Sequence, residues 1–518
     1  MAALLQVYQG IFSSVPAFFE ALFTVEMFIA LAVGVVGGII IGALPGLNAT
    51  TGIVLLMPLT YSMSPIPALT MLMTIYTAGI MGGSFSSILI NTPGTSSSVA
   101  TLLDGYPLAR SGQALKALNT SIFSSVLGGI ISALALLLIS PILARIALIF
   151  DSSEYFLLGL FGLSLVASLS DDGLLKGFSI GCLGLLVGCV GLAPMSNMAR
   201  YTFGTEMLYD GFNTTVVIIG CFSVAQILLL IYETKTADPN YKAEALKLEG
   251  SKFLSWNEIK SIIPTCIYSS IIGVGVGILP GAGAATGSYI AYIHTKSRSK
   301  HPEKFGTGCI EGIAAPEAAN NAVTGAAMIP LLTLSIPGST AAAVLLGALM
   351  IHGLQPGFSL FTKQSDIVFP IILGFLLANI VMLPVGMLLA RVMGKIVKIP
   401  NAILAPVISV LAVLGCYCIR TRLFDLFALF FFGLLGYLMK KSKYSSGAFT
   451  LGLILGAMCE TGLRRSFALA IPMGGSIIAY YLSRPQSIVL ALLVLYNMTS
   501  PLRKLLKEKR KQKSSPVI

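Results

Sequence analysis

Charge is scarce in this sequence. Only 10% of its 518 residues are Asp, Glu, Lys or Arg, against roughly 25% in an ordinary soluble domain. At the same time 55% are hydrophobic and the mean hydropathy is +0.88. A soluble fold has nowhere to hide that much apolar surface, so a soluble globular protein is excluded. Histidine is scarcer still: His294, His301 and His352 are the whole supply, and they are too dispersed for a zinc site. The cysteines include no Cys-x-x-Cys pair, and the spacing of Cys416 and Cys418 is poor for a metal knuckle, so they read as small buried hydrophobes. No Gly-x-x-x-x-Gly-Lys-Ser/Thr loop occurs, so the chain does not hydrolyse ATP through a P-loop. No close set of His, Asp and Glu supplies the acid, base and metal roles of an enzyme. Gly273-x-Gly275-x-Gly277 has part of a dinucleotide fingerprint but lies in a membrane-length apolar run without βαβ context. Residues 1–20 hold no Lys or Arg, so no cleavable signal peptide, with its basic n-region, is expected at the start.

Long, nearly uncharged runs are abundant, among them residues 21–44, 68–90, 115–144, 174–192, 214–231, 262–279, 326–350, 367–390 and 423–438. A hydrocarbon core about 30 Å thick takes about 20 helical residues to cross. A transmembrane β-barrel would show short alternating segments, whereas here both faces stay apolar for many turns. The expected fold is an all-α integral membrane protein, a polytopic helical bundle of about 10–14 membrane segments. The net charge is +12, from 33 Lys and Arg against 21 Asp and Glu. The basic residues sit in short loops, as at 391–398 and 440–443, and in the tail at 503–513. That is the positive-inside pattern of a membrane protein, and no nucleic-acid partner is expected from it.

Residues 232–260 form the longest charged stretch and carry the only Trp, Trp256. They divide the chain into a first transmembrane half (1–231), a charged surface linker (232–260), a second half with additional C-terminal spans (261–499) and a basic cytoplasmic tail (500–518). The halves echo each other. GVVGGIIIGALPGLNATTG at 34–52 answers GVGVGILPGAGAATG at 273–287, and NTPGTSSSVA at 91–100 answers SIPGSTAAAV at 335–344. Two matched motifs in the same order indicate an internal repeat. The loop 294–304 after the second Leu-Pro-Gly is strongly basic and should be cytoplasmic, while its counterpart at 61–67 has no charge. After the later break the imbalance reverses: Arg110 and Lys116 follow Pro93, but only Lys363 and Asp366 follow Pro337 before the next span. Opposite sidedness of equivalent loops predicts two inverted repeats with broken or re-entrant helices.

Non-helical backbone survives at membrane depth only when buried in protein or lining water. Proline lacks the amide hydrogen and clashes with the preceding turn, and glycine accepts the irregular dihedrals of a break. Helix breaks are therefore expected at Pro45, Gly46, Pro280 and Gly281, and again at Pro93-Gly94 and Pro337-Gly338. Each break frees amides whose positive dipole end attracts carboxylates, and carbonyls that suit sodium when hydroxyls assist. The expected substrate-binding set is Asn48, Thr50 and Thr51; Asn91, Thr92, Pro93, Gly94, Thr95, Ser96 and Ser97; and Ser335, Pro337, Gly338, Ser339 and Thr340. Gly, Ser and Thr also let helices pack closely, and that alternative stays open. Glu311, Glu317, Asn320 and Asn321 lie in a segment too polar to face lipid. Ion coordination or a proton relay would account for it, as would a helix cap at the cytoplasmic edge. With Thr286 and Ser288 these residues are the candidates for cation or proton coupling, and sodium is the only metal expected. Asp171 and Asp172 read as a turn, and Asp104 as the point where a helix leaves the membrane.

Four long strings carry a resemblance: ALPGLNATTGIVLLMPLTY at 43–61, GGSFSSILINTPGTSSSVATLLDGYPLARSGQA at 82–114, GILPGAGAATGSYIAY at 277–292, and EGIAAPEAANNAVTGAAMIPLLTLSIPGSTAAAVLLGALMIHGLQPG at 311–357. They resemble the large membrane subunit of tripartite tricarboxylate transporters, the TctA family. The resemblance implies a bacterial inner-membrane permease working with a small four-span membrane subunit and a periplasmic solute-binding protein that delivers a carboxylate such as citrate. It also implies secondary transport driven by sodium or protons. The family's hallmark stretches fall at 44–51, 91–97, 279–286 and 335–340. One departure is Ser335, where glycine is common. The rival readings are a passive anion channel and a scaffold subunit that does not transport.

Overall fold

The structure is a computed structural model that describes residues 10–499 except 12, 45, 169–173, 194–195, 237–253, 280–282 and 397–398. Pro45, Pro280, Gly281, Asp171, Asp172, most of the 232–260 stretch and the 500–518 tail therefore lie outside the described residues. Among the described residues the fold is helical throughout, apart from a two-residue hairpin, β1 (Gly191–Leu192) with β2 (Ala199–Arg200). Among the described residues nine helical stretches are long and apolar enough to cross a membrane, and four shorter apolar helices accompany them. The expected all-α polytopic membrane bundle is the observed fold.

The chain folds as two compact units, Met1–Ala147 with Ile218–Tyr437, and Leu148–Val217 with Leu438–Ile518. The first begins with α1 (Val15–Leu22), α2 (Val25–Ala43), α3 (Ala49–Leu56), α4 (Pro65–Ile90), α5 (Val99–Leu108) and α6 (Ala114–Ile146). The second unit opens with α7 (Ser152–Ser168) and α8 (Leu174–Gly188). Beyond the hairpin, α9 (Thr214–Ile219) and α10 (Ala225–Thr236) flank a π-helical turn at Gly220–Val224. Next come α11 (Trp256–Ile278), α12 (Gly283–Arg298), α13 (Ile310–Ala326), α14 (Met328–Leu334), α15 (Thr340–Ile351), α16 (Phe358–Thr362), α17 (Ser365–Ala390), α18 (Met393–Ile396), α19 (Asn401–Arg420) and α20 (Leu423–Lys441). The second unit closes with α21 (Ser446–Ala470), α22 (Ile477–Leu482) and α23 (Pro485–Met498).

Lipid tails are as apolar as leucine, so helices in a membrane associate mainly by close packing, and small residues permit it. Gly34, Gly38 and Gly42 stand at four-residue spacing on α2, against Thr74, Ala78 and the Gly79 carbonyl of α4. Gly82 of α4 answers them against the Ile39 carbonyl. The second half repeats the arrangement: Gly273 and Gly277 of α11 rest on Ala319 and Val323 of α13. The halves are then locked together crosswise. Gly128 of α6 sits on the Ala318 carbonyl of α13, and Gly374 of α17 sits on Thr70 of α4. This places α4 at the centre, with 94% of its most apolar window buried, against 39% for α2 and 33% for α11.

The breaks are where these long runs stop. Ser64 opens α4 ahead of Pro65, its amide bonded to the Glu26 carboxylate at 3.0 Å, and proline at the first helical position lacks only an amide that would be orphaned anyway. Asn91 ends α4 in the left-handed region at φ 55, and Ser335 ends α14 in the same way at φ 58. Asn tolerates that region better than other side chains do, whereas Ser335 holds it against a cost of about 1–2 kcal/mol. The second unit packs by the same device, with Gly184 of α8 on the Phe449 carbonyl and Gly452 of α21 on the Gly181 carbonyl. Its ion pairs include Arg200 with Glu460 at 2.7 Å and Arg484 with Glu154 at 2.8 Å.

Adding one methyl group distinguishes glycines at backbone contacts from glycines on open faces. Gly42→Ala and Gly128→Ala each drive a Cβ into a carbonyl and are expected to cost about 1–3 kcal/mol. The Cβ of Gly275→Ala meets nothing within 4 Å. Fluorescence-detected size exclusion of membrane extracts should show a reduced monodisperse peak for the first two and an unchanged one for the third.

Candidate functional site

Two half-helices from opposite halves of the chain meet at their N-termini. Asn48 caps α3, its Oδ1 accepting from the Thr51 amide at 2.9 Å and the Thr51 hydroxyl at 3.1 Å. Ser339 caps α15, its Oγ accepting from the Ala342 amide at 3.1 Å. These caps take the third amide of each helix, and the first-turn amides ahead of it have no intrahelical partner. Across the junction the hydroxyls of Thr50 and Thr340 lie 3.2 Å apart. The Tyr76 hydroxyl of α4 reaches Ser339 Oγ at 2.9 Å. Two positive helix ends and four hydroxyls are thus gathered around one spot, an arrangement suited to a carboxylate.

The second break is built on the same face of α4. Gly79 receives Ala49, the first residue of α3, and Gly83 receives Thr95 one helical turn further on. The Gly94 amide donates to the Gly83 carbonyl at 3.2 Å, and a side chain at Gly94 would meet Gly42 of α2 and Gly83. Thr95 and Ser97 hydroxyls stand 3.0 Å apart at the mouth of a 3-10 turn, Ser96–Ser98, which packs against α12. Gly338 lies against Ala327 and the Gly277 carbonyl, the second-half counterpart of the approach of Gly94 to Gly42. Asn48, Asn91, Pro93, Ser96 and Thr286 are exposed; Thr92, Ser335, Ser339 and Thr340 are half-buried; Thr50, Thr51, Gly94, Thr95, Ser97, Pro337 and Gly338 are buried. The described flanks of all four breaks thus belong to one linked neighbourhood, first to second through α4, first to fourth directly, and second to third through α12.

A second polar centre lies in the packed interior. Glu317 is fully buried, and its carboxylate accepts from Ser84 Oγ at 2.5 Å, Ser125 Oγ at 2.8 Å, Ser121 Oγ at 3.1 Å and Asn320 Nδ2 at 3.3 Å, as well as from the Thr101 hydroxyl. These donors come from α4, α5, α6 and α13, so one carboxylate joins four helices. Asn320 Oδ1, both polar atoms of Asn321 and the Ser288 hydroxyl are buried without a hydrogen-bond partner among the described residues. Glu311 does not share this centre. It is half-buried at the first turn of α13, on the wall of another cavity with Arg298, Lys300 and Lys304.

Asp104 forms a polar centre of its own. It lies within α5, fully buried, and accepts from the Tyr292 hydroxyl at 2.9 Å and from the amides of Gly306, Gly308 and Cys309 at 2.8, 3.0 and 2.8 Å. It ties the loop before α13 to the half-helix after the second break. Among the described residues no three His, Cys, Asp or Glu form a metal-binding group.

The sequence profile of the tripartite tricarboxylate transporter TctA family matches residues 28–451. The chain belongs to that family. As a TctA-family protein it is a multi-pass membrane component of tricarboxylate transport and one part of a system with further subunits. It is 36% identical over 452 residues, 87% of this chain and 89% of the relative, to an uncharacterized 52.8 kDa protein in the TAR-I ttuC' 3' region of Agrobacterium vitis. It is 36% identical over 195 residues, 38% of this chain and 81% of the relative, to an uncharacterized protein in the TAR-II ttuC' 3' region of the same organism. No solved structure matches.

Sequence reasoning missed Tyr76, Ser84, Thr101, Ser121 and Ser125. The one available signal was the four-residue spacing of Ser121 and Ser125, which places two hydroxyls on one face of α6. Glu317→Ala would strand those hydroxyls, each orphaned donor costing about 1–3 kcal/mol, whereas Ser121→Ala alone should cost about 1 kcal/mol. The expected result in detergent is a large drop in thermal midpoint for the first and a small one for the second. Equal midpoints for Glu317→Ala and wild type would remove Glu317 as the hub.

Proposed function

We propose that the chain is the permease subunit of a binding-protein-dependent secondary transporter importing organic carboxylates, citrate-like tri- or dicarboxylates, across the bacterial inner membrane. The observation that carries this reading is the meeting of Thr50 and Thr340 at 3.2 Å, which joins two half-helix N-termini from separate halves of the chain. Converging amides, dipoles and hydroxyls offset the cost of taking a carboxylate out of water. Asn48, Thr50, Thr51, Ser339 and Thr340 hold the anion, with Asn91–Ser97 and Ser335–Gly338 supplying the neighbouring wall. Two inverted repeats account for the matched breaks, for Gly94 and Gly338 in equivalent places, and for the crosswise packing of α6 on α13 and α17 on α4. A periplasmic solute-binding protein delivers the substrate, and a small four-span membrane subunit completes the assembly.

Coupling to a sodium or proton gradient is assigned to the third break and the centre beside it. Glu317 is the fully buried carboxylate of that centre, and because most of its partners are hydroxyls, which can turn from donor to acceptor, it is the group to take a proton. Asn320 Oδ1, Asn321 Oδ1 and the Ser288 hydroxyl have buried lone pairs without donors and are the atoms to ligate sodium, with Thr286 at the exposed side. Cation binding cancels part of the substrate charge before one repeat moves against the other.

The test is uptake of labelled mono-, di- and tricarboxylates by proteoliposomes holding the chain with its partner subunits and loaded binding protein. Saturable uptake driven by an imposed sodium or proton gradient is expected. Thr50→Val combined with Thr340→Val should lose about 10- to 100-fold, the equivalent of hydrogen bonds to a charged group worth roughly 1.5–3 kcal/mol. Uptake indifferent to collapse of both gradients would overturn the coupled mechanism, and flux that never saturates would favour a passive anion channel. No uptake under any gradient, with the partners present, would favour a scaffold subunit.

A further inference from the structure

Away from the breaks, a cavity of about 610 Å³ opens where α11, the end of α12, the following loop and the start of α13 come together. Arg298, Lys300 and Lys304 line it, and Glu311 supplies the one carboxylate on its wall. No ion pair engages any of these three cations among the described residues. Tyr268 and Thr295 also line it, and their hydroxyls are buried with no hydrogen-bond partner among the described residues. The Tyr268 ring stacks with His294 at 4.8 Å and has the Arg298 guanidinium 5.3 Å from its centre. A cation fixed over an aromatic face beside two idle hydroxyls is a preorganised anion site.

Its position along the helices decides what kind of anion. Toward the start of α11 the exposed residues are Trp256, Asn257, Lys260 and Ser261. In the other direction Ile267 and Ile271 of α11 and Ile290 and Ile293 of α12 are exposed. The cavity therefore stands where exposed isoleucines give way to charge, the pattern that marks the level of lipid headgroups, where Trp and Tyr collect. Basic pockets between membrane helices at that level take anionic headgroups.

We propose that this cavity binds the phosphate of an anionic phospholipid, with its acyl chains on the Ile267, Ile271, Ile290 and Ile293 ridge. Arg298, Lys300 and Lys304 neutralise the phosphate, and the Tyr268 and Thr295 hydroxyls donate to its oxygens. Glu311 accepts from the hydroxyls of a polyol headgroup, which favours phosphatidylglycerol over phosphatidylserine. The bound lipid braces the same loop that Asp104 holds from its other side through Gly306, Gly308 and Cys309.

The test uses the purified full chain, delipidated in detergent, with native mass spectrometry and thermal unfolding as readouts. Phosphatidylglycerol should be retained and should raise the midpoint, phosphatidylcholine should do neither, and retention should weaken as salt rises. Arg298→Gln with Lys304→Gln should reduce phosphatidylglycerol retention at least about tenfold, the loss of roughly 1.4 kcal/mol or more. Both side chains are exposed, so the variant should keep a monodisperse profile. If it does not, Tyr268→Phe gives a milder version of the same loss. Inorganic phosphate producing the full midpoint shift alone would keep the phosphate chemistry but overturn the lipid as its source. Equal retention of the two lipids, or retention unchanged in both variants, would overturn the site altogether.

Discussion

A peptide amide or carbonyl freed inside a bilayer has no water to turn to, and everything else in this structure follows from that constraint. The chain interrupts its helices at matched Pro-Gly steps and must then provide for the exposed groups. It does so by enclosing them. The second break is pinned by the Gly94 amide on the Gly83 carbonyl, and the first and fourth are capped by Asn48 and Ser339. What the caps leave over is the polarised edge that gives an otherwise greasy protein somewhere to receive a charged solute.

Enclosure at that depth requires backbones to approach within the width of a glycine. The contacts of Gly42 on Gly79, Gly82 on Ile39 and Gly128 on Ala318 are contacts with carbonyls, so a methyl group has no side chain to push aside. The same glycines that bring α2 to α4 position the first break against α4, and the approach of Gly94 to Gly42 sets the second. Packing and site geometry therefore rest on one set of residues. The carboxylate of Glu317 acts in the same region by a different means, drawing hydroxyls from α4, α5 and α6 onto α13.

The repeated Leu-Pro-Gly and Pro-Gly strings were legible as candidate breaks because proline and glycine act through their own backbones, within a few residues. The helical spacing of glycines at 34, 38 and 42 was likewise legible. The partners of Asp104 were not legible in the same way, because they are amides 202–205 residues away. Glu317 was visible as an acidic residue in apolar company, yet nothing nearby announced that Ser84 and Thr101 would reach it.

Sequence alone therefore determined the membrane-embedded helical class and the family, since each depends on composition or on contiguous strings. The tertiary structure decided which breaks face each other, that Thr50 meets Thr340 across 290 residues, and that Glu311 and Glu317 belong to different places. The physical reason is range. Hydropathy and backbone preference are properties of neighbours in the chain, whereas a hydroxyl has no preferred partner until packing brings one within about 3 Å.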